Sequence, residues 1–541
     1  MSAGQTNMRS TYPTSFSRPL ASGFSTLEVL LAMTILVLTI TSVTLTSYGS
    51  QTMQTDAETG TEALHTAQDG LEYMQTLSRK DFQLVNPTTT DKTIGTATYH
   101  RVISVSTTTA PDYATKQITS TVTWQGENNR MQHVTLSALV TNFDHAAGGE
   151  TCDSVPSGNW ALPIVKNAAN TDMLSLTGTS TGVNVITNID AYKGKVYLTV
   201  KDAQYKTDPR LFVFDIAKLK TDPTHSLLGK LTTATNTTAS GMYAVQVAEG
   251  PSGKRYAYIA NDYQANWSSC SAYYNCAQLS IVDVTDPSKM VLASTTYFKL
   301  PNVSGALNSG GSGNALFYKD GLLYLGLTRT LSGPEFNIID VHDPKSPLWL
   351  GAANVDFDVS AISVVGNTAY LATNNDTGEV LTMDVSNPSS PTLLATYDAP
   401  GQTVAGYGRS LDVVGDTVYL GRSQLNSGAE FLVLDASSTT GVIPPTPLGS
   451  RDIGTASLPF TVYGTLVRSS LGFLTGGNGI GSGGKFYVEQ MSNLGSITDY
   501  ASTTLPNSST GFALDCEGSD IFVGSRDAAN MGYLSVITSS P

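Results

Sequence analysis

Three patterns of apolar and polar positions follow one another along the chain. Residues 1–23 are polar, and from Phe24 to Tyr48 the chain is largely apolar, with Glu28 its only charge. As a helix, that run would be ~37 Å long, enough to cross a bilayer. Beyond Tyr48 the period stays helical but becomes amphipathic. Ala57, Ala63, Leu64, Ala67, Leu71, Met74 and Leu77 recur at helical spacing, which carries the expected helix to Arg79–Lys80. Three strands with period-two alternation are expected next, at Thr96–Thr107, Lys116–Gln125 and Met131–Phe143. The last two are joined by the turn Gly126-Glu127-Asn128-Asn129.

The third pattern is a repeat. "RLFVFD" begins at Arg210, "QLSIVDVTDP" at Gln278, "EFNIIDVHDP" at Glu335, "VLTMDVSNP" at Val380 and "EFLVLD" at Glu430. The aligned acids are Asp215, Asp283, Asp340, Asp384 and Asp435, with Glu489 at the same place in a degenerate copy. A partial copy starts at Gly532. Each copy follows another strand signal, such as "GKVYLTV", "NTAYLAT" or "DIFVGSR". Strand-built repeats of roughly 45–65 residues point to a β-propeller. Six whole copies and one partial copy predict seven blades. Ala168–Gly178 is expected to be the missing outer strand that closes the last blade. The repeated acids are read as turn-forming, because Asp and the following Asp/Asn-Pro bond their own backbone.

The start of the chain carries a more specific signal. A secretory signal would place a small-residue cleavage site after the apolar run, whereas here the Gly23-Phe24 junction precedes it. Gly23, Phe24 and Glu28, followed by "VLLAMTILVL", resemble the leader of type IV pilins and type II secretion pseudopilins. The resemblance implies cleavage after Gly23 by a prepilin peptidase, methylation of Phe24, and pairing of Glu28 with a neighbouring subunit's N-terminal amine during filament assembly. "STVTW" and "HVTLSALVTNF" are similar to minor pilin strands, and the repeats are similar to LVIVD-repeat propellers of bacterial surface proteins. The expected fold class is therefore an α+β pilin-like module, a long helix plus an antiparallel β-meander, followed by an all-β propeller. The expected boundaries are a leader at 1–23, a helix at 24–80 (24–48 spanning the membrane or forming a filament core), a sheet head at 81–145, a linker at 146–159 and a propeller at 160–541.

Composition narrows the function classes. The chain of 541 residues has 30 Lys+Arg against 44 Asp+Glu, a net charge of -14. That balance argues against a nucleic-acid partner, which needs a basic face. A mean hydropathy of -0.05 excludes a polytopic membrane protein. The four cysteines show no CxxC pair, so two disulfides are expected, Cys152–Cys516 and Cys270–Cys276, and no metal site. The oxygen-rich stretch Asn374–Glu379 lacks EF-hand spacing and reads as a turn. No catalytic motif or cofactor-binding fingerprint is present, so neither an enzyme nor a cofactor is expected. An aromatic insert at 261–278, with Tyr263, Trp267, Tyr273 and Tyr274, is a candidate recognition surface.

The expected function is that of a minor pilin-like subunit. It would be held in the inner or cytoplasmic membrane before assembly and then displayed on the cell surface or pilus. Its partners would be other pilin subunits, and its propeller would bind a surface, glycan or protein. Two alternatives stand beside this: a structural secretion pseudopilin, and a propeller enzyme of the hydrolase or lyase type.

Overall fold

The structure, a computed structural model, describes residues 26–80, 85–95, 97–107, 115–126, 130–141, 151–153, 155–167, 171–177, 185–201, 209–232, 241–250, 253–262, 277–294, 298–301, 311–330, 333–400, 406–423, 428–438, 440–454, 459–479 and 483–540. Helix α1 runs over Thr26–Lys80. Its threonines turn back on the backbone: Thr34 Oγ1 donates to the Leu30 carbonyl at 3.0 Å, and Thr41 and Thr44 donate likewise to the Val37 and Ile40 carbonyls. Such hydroxyls satisfy themselves within the helix. Gly23 and Phe24 lie outside the described residues, as does the side chain of Glu28 in the first turn.

The expected fold class is corrected by this structure. The chain is mostly β, arranged in small four-stranded sheets, and the α+β pilin-like module required an apolar spanning helix. Among the described residues, no helix is long and apolar enough to cross a membrane. The same finding overturns the expected membrane anchor at 24–48 and the localisation built on it. Five threonines stand among the apolar residues of 34–46, and the chain turns polar after Tyr48.

The chain divides into two compact units. In the first, Ala63 and Ala67 of α1 are fully buried against Tyr99, Val122 and Trp124. The sheet that carries these residues has the order β1 (Thr88–Ile94), β2 (Ala97–Thr107), β3 (Thr115–Gln125) and β4 (Met131–Thr141). Strand β1 was not expected. It reads TTTDKTI, almost wholly exposed, and is held by antiparallel pairing to β2 rather than by burial.

The second unit is propeller-like. Six four-stranded antiparallel sheets and a seventh of five strands follow in chain order, with inner strands Val185–Tyr192, Met242–Glu249, Gly313–Lys319, Val359–Val365, Gly408–Val414, Thr461–Arg468 and Thr510–Gly518. Each inner strand packs against the next, and the last returns to the first, which closes a ring. The second and third strands are buried on both faces between neighbouring sheets, so they read as continuous apolar runs such as VYLTV and FLVLD. Successive sheets approach closely at their outer strands. A Cβ on Gly229 would lie 1.8 Å from the Pro287 carbonyl oxygen of the next sheet, so only glycine fits there.

The seventh sheet closes differently from the expectation. Its outer strand is Asn159–Val165, antiparallel to Gly532–Ser540. Of the expected closing strand, residues 171–177 instead hold a bridge from Asp172 to Tyr533 and a short helix, Met173–Thr177. Thr151–Cys152, placed in the linker by the sequence, runs parallel to the inner strand of this sheet.

Candidate functional site

The two rims of the ring are built differently. At the rim where third strands end, the repeated acids close turns. Asp283, Asp340, Asp384 and Asp435 each accept the backbone N–H two residues ahead, at 2.8 to 3.1 Å. Asp215 caps a short helix through the Lys218 N–H. The hydroxyl and N–H of Ser386 hold the Asp384 carboxyl below the usual carboxylate range, and Ser437 does the same for Asp435. His225 and His342 sit in these turns against Asp222 and Asp340. Glu489 departs from the expected alignment. The residue paired like Asp435 is Gln490, opposite Leu471, so Glu489 faces the core one position earlier. Buried without a hydrogen bond, its carboxyl is pushed up to about 7. Arg451 Nε lies 3.3 Å away and offsets part of that burial cost.

The opposite rim gathers the starts of the inner strands, the ends of the second strands and the crossovers between sheets. Fully buried Gln278, Glu335, Glu379 and Glu430 open the third strands there. Each holds a crossover to the next sheet by its backbone. Gln278 accepts from Leu300, Glu335 from Val355 and Asp356, Glu379 from Ala399, and Glu430 from Ile453 and Gly454. Glu379 also carries an ion pair with Arg422, 2.7 Å away and equally buried. The oxygen-rich stretch 374–379 is spent in these contacts and in the turn closed by Asn375 on Thr377.

At this rim every inner strand skips one residue in its pairing with the second strand. The skipped residues are Thr187, Tyr243, Asn314, Ser360, Arg409, Tyr463 and Phe512. A bulge re-aims the residue it frees. All seven are half-buried, while the residue before each is buried. They therefore form one circle of accessible side chains at one mouth of the ring's centre.

Contacts link neighbours in this circle. The Tyr463 and Phe512 rings lie 4.7 Å apart, and the Arg526 guanidinium sits 4.9 Å from the Phe512 ring. Lys201 lies 5.3 Å from the Tyr243 ring, and Arg409 lies 5.6 Å from Tyr407. Thr187 donates to the Met242 carbonyl, and Asn314 to that of Val359. The circle pairs flat aromatic faces with cations, hydroxyls and an amide, and it holds no carboxylate, histidine or cysteine. That set can stack and hydrogen-bond a ligand, but it lacks a general base.

The sequence reading did not find this circle. The residues it named fall elsewhere. Cys152 and Cys516 are joined in a disulfide beside the seventh sheet, Cα atoms 5.3 Å apart. Those two with Asp515 are the metal-type cluster found among the described residues, and the bonded sulfurs remove it as a site. Cys270, Cys276, Tyr263, Trp267, Tyr273 and Tyr274 lie outside the described residues.

No curated protein matches the chain. A family model for the LVIVD repeat matches residues 274–296 and 358–399. The second stretch spans the whole fourth sheet and the first covers the outer half of the second sheet. The chain thus contains LVIVD repeats, in keeping with its ring of β-sheets.

Proposed function

We propose that this protein is a binding protein whose propeller-like ring captures a carbohydrate at the mouth circled by the bulges. The carrying observation is the half-exposed Tyr463–Phe512 pair, set on adjacent rigid strands. Flat aromatic faces bury the apolar faces of sugar rings at low conformational cost, and Thr187, Asn314 and Ser360 supply hydrogen bonds around them. Recognition is favoured over catalysis because the circle's seven side chains include no acid–base pair. The latches from Gln278, Glu335, Glu379 and Glu430 support the reading, because they fix the backbone that surrounds the mouth.

The test is binding of the full chain to an array of oligosaccharides, repeated with Tyr463→Ala and Phe512→Ala. Binding that both substitutions reduce at least tenfold supports the reading. Binding untouched by either places the ligand elsewhere.

A further inference from the structure

The proposed carbohydrate site has a chemically distinct sector. Arg409, Tyr463 and Phe512 occupy the bulges of three consecutive sheets, and Arg526 closes the second strand of the last of them. The order of bulge residues around the mouth is guanidinium, aromatic, aromatic. Acids outnumber bases by 44 to 30 in the chain as a whole. Yet none of the seven bulge residues is acidic, nor is any residue that closes a second strand: Lys201, Asn261, Leu327, Thr373, Arg422, Gly477 or Arg526. Arg422 is neutralised by Glu379. Asp527, beside Arg526, is turned to Asn507, Met531 and Tyr533. Arg409 faces no such acid, and its buried Nε has no hydrogen-bond partner among the described residues.

We propose that this sector selects an acidic sugar, with Arg409 receiving its carboxylate while Tyr463 and Phe512 carry its ring. This rests on the carbohydrate reading above. A guanidinium presents its donors in a planar fork that matches a carboxylate in two parallel hydrogen bonds. The Arg409 guanidinium beside two aromatic faces fits one carboxylate on one ring. A nucleic-acid backbone would need a longer track of cations.

The experiment is calorimetric titration of the full chain with paired oligosaccharides, each acidic member matched by its carboxyl-reduced counterpart. A single-stranded oligonucleotide is a further arm. The expected result is at least tenfold tighter binding of an acidic member than of its neutral twin. Arg409→Gln should remove that difference by weakening the acidic member at least tenfold more than its neutral twin, whereas Tyr463→Ala should weaken both alike. Equal affinity for the two members of every pair, or an acid preference that survives Arg409→Gln, overturns the inference and leaves the carbohydrate reading standing. Failure of every oligosaccharide to bind overturns both. Oligonucleotide binding that depends on Arg409 overturns the inference in favour of a nucleic-acid ligand.

Discussion

Arg422 Nη2 donates to Glu379 Oε1 at 2.7 Å, joining the second strand of one sheet to the third strand of its neighbour with both side chains buried. The second oxygen of Glu379 accepts from the Ala399 N–H, and Arg422 Nη1 donates to the Ala429 carbonyl. Removing one member of a buried pair strands the other charge, at a cost of about 3–5 kcal/mol. Arg422→Met is therefore expected to destabilise the ring by that amount in urea unfolding. Adding Glu379→Gln should recover a large part of the loss. A double variant no more stable than the single one would refute the coupling.

The Cys152–Cys516 disulfide closes a loop of 364 residues. On the chain-entropy model, a loop of that length contributes on the order of 5 kcal/mol by restricting the unfolded chain. Reductant, or Cys152→Ser with Cys516→Ser, should lower the melting temperature of the ring by several degrees. Equal melting with and without reductant, with both thiols titrating as free, would count against the bond.

Glu489 sets a pH dependence. Burial raises its folded pKa to about 7 from the ordinary 4.5, so the folded state holds the proton more tightly than the unfolded one. Its contribution is most favourable below pH 4.5 and is lost as pH rises through 7, on the order of 3 kcal/mol. Glu489→Gln should stabilise the protein at pH 8, leave it little changed at pH 4.5, and flatten the profile between. A variant that is less stable than the parent at pH 8 would show that the ion pair with Arg451 outweighs burial.

The Gly23-Phe24 junction is a separate proposal, motivated by its resemblance to a prepilin cleavage site. In a host with a prepilin peptidase, N-terminal sequencing should find Phe24 as the first residue, and Gly23→Ala should block its appearance. An intact Met1 terminus in such a host would discard the site.

Much of the ring was legible because its signals are local. The acids Asp283, Asp340, Asp384 and Asp435 act within two residues of themselves, and the turn role expected of the repeated acids is the one they have. The Cys152–Cys516 pairing followed from the need to close a ring. What stayed hidden depends on partners far along the chain. The motifs beginning at Gln278, Glu335 and Glu430 were visible, but the purpose of their first residues lies 20 or more positions away in a crossover. A bulge leaves no mark in a single sequence, since Arg409 or Tyr463 looks like any other strand residue. The closing strand was misplaced because Pro163 lowers the strand signal of NWALPIV. On an edge, where no N–H is required, proline is tolerated. Strand β1 was missed because TTTDKTI has no apolar face to alternate.

Closing the seventh sheet with Asn159–Val165 imposes an order in time. Val165 is paired with Ile537, 372 residues later (537 − 165). At roughly 5–20 residues per second, the ribosome finishes the partner strand some 20–75 s after the first strand emerges. For that interval six sheets can form while one edge strand waits, with Leu162 and Ile164 exposed. Pro163 at its middle denies a stray strand one ladder hydrogen bond, the device by which edge strands resist pairing with other chains. The residue that obscured the strand in the sequence also guards it until the ring can close.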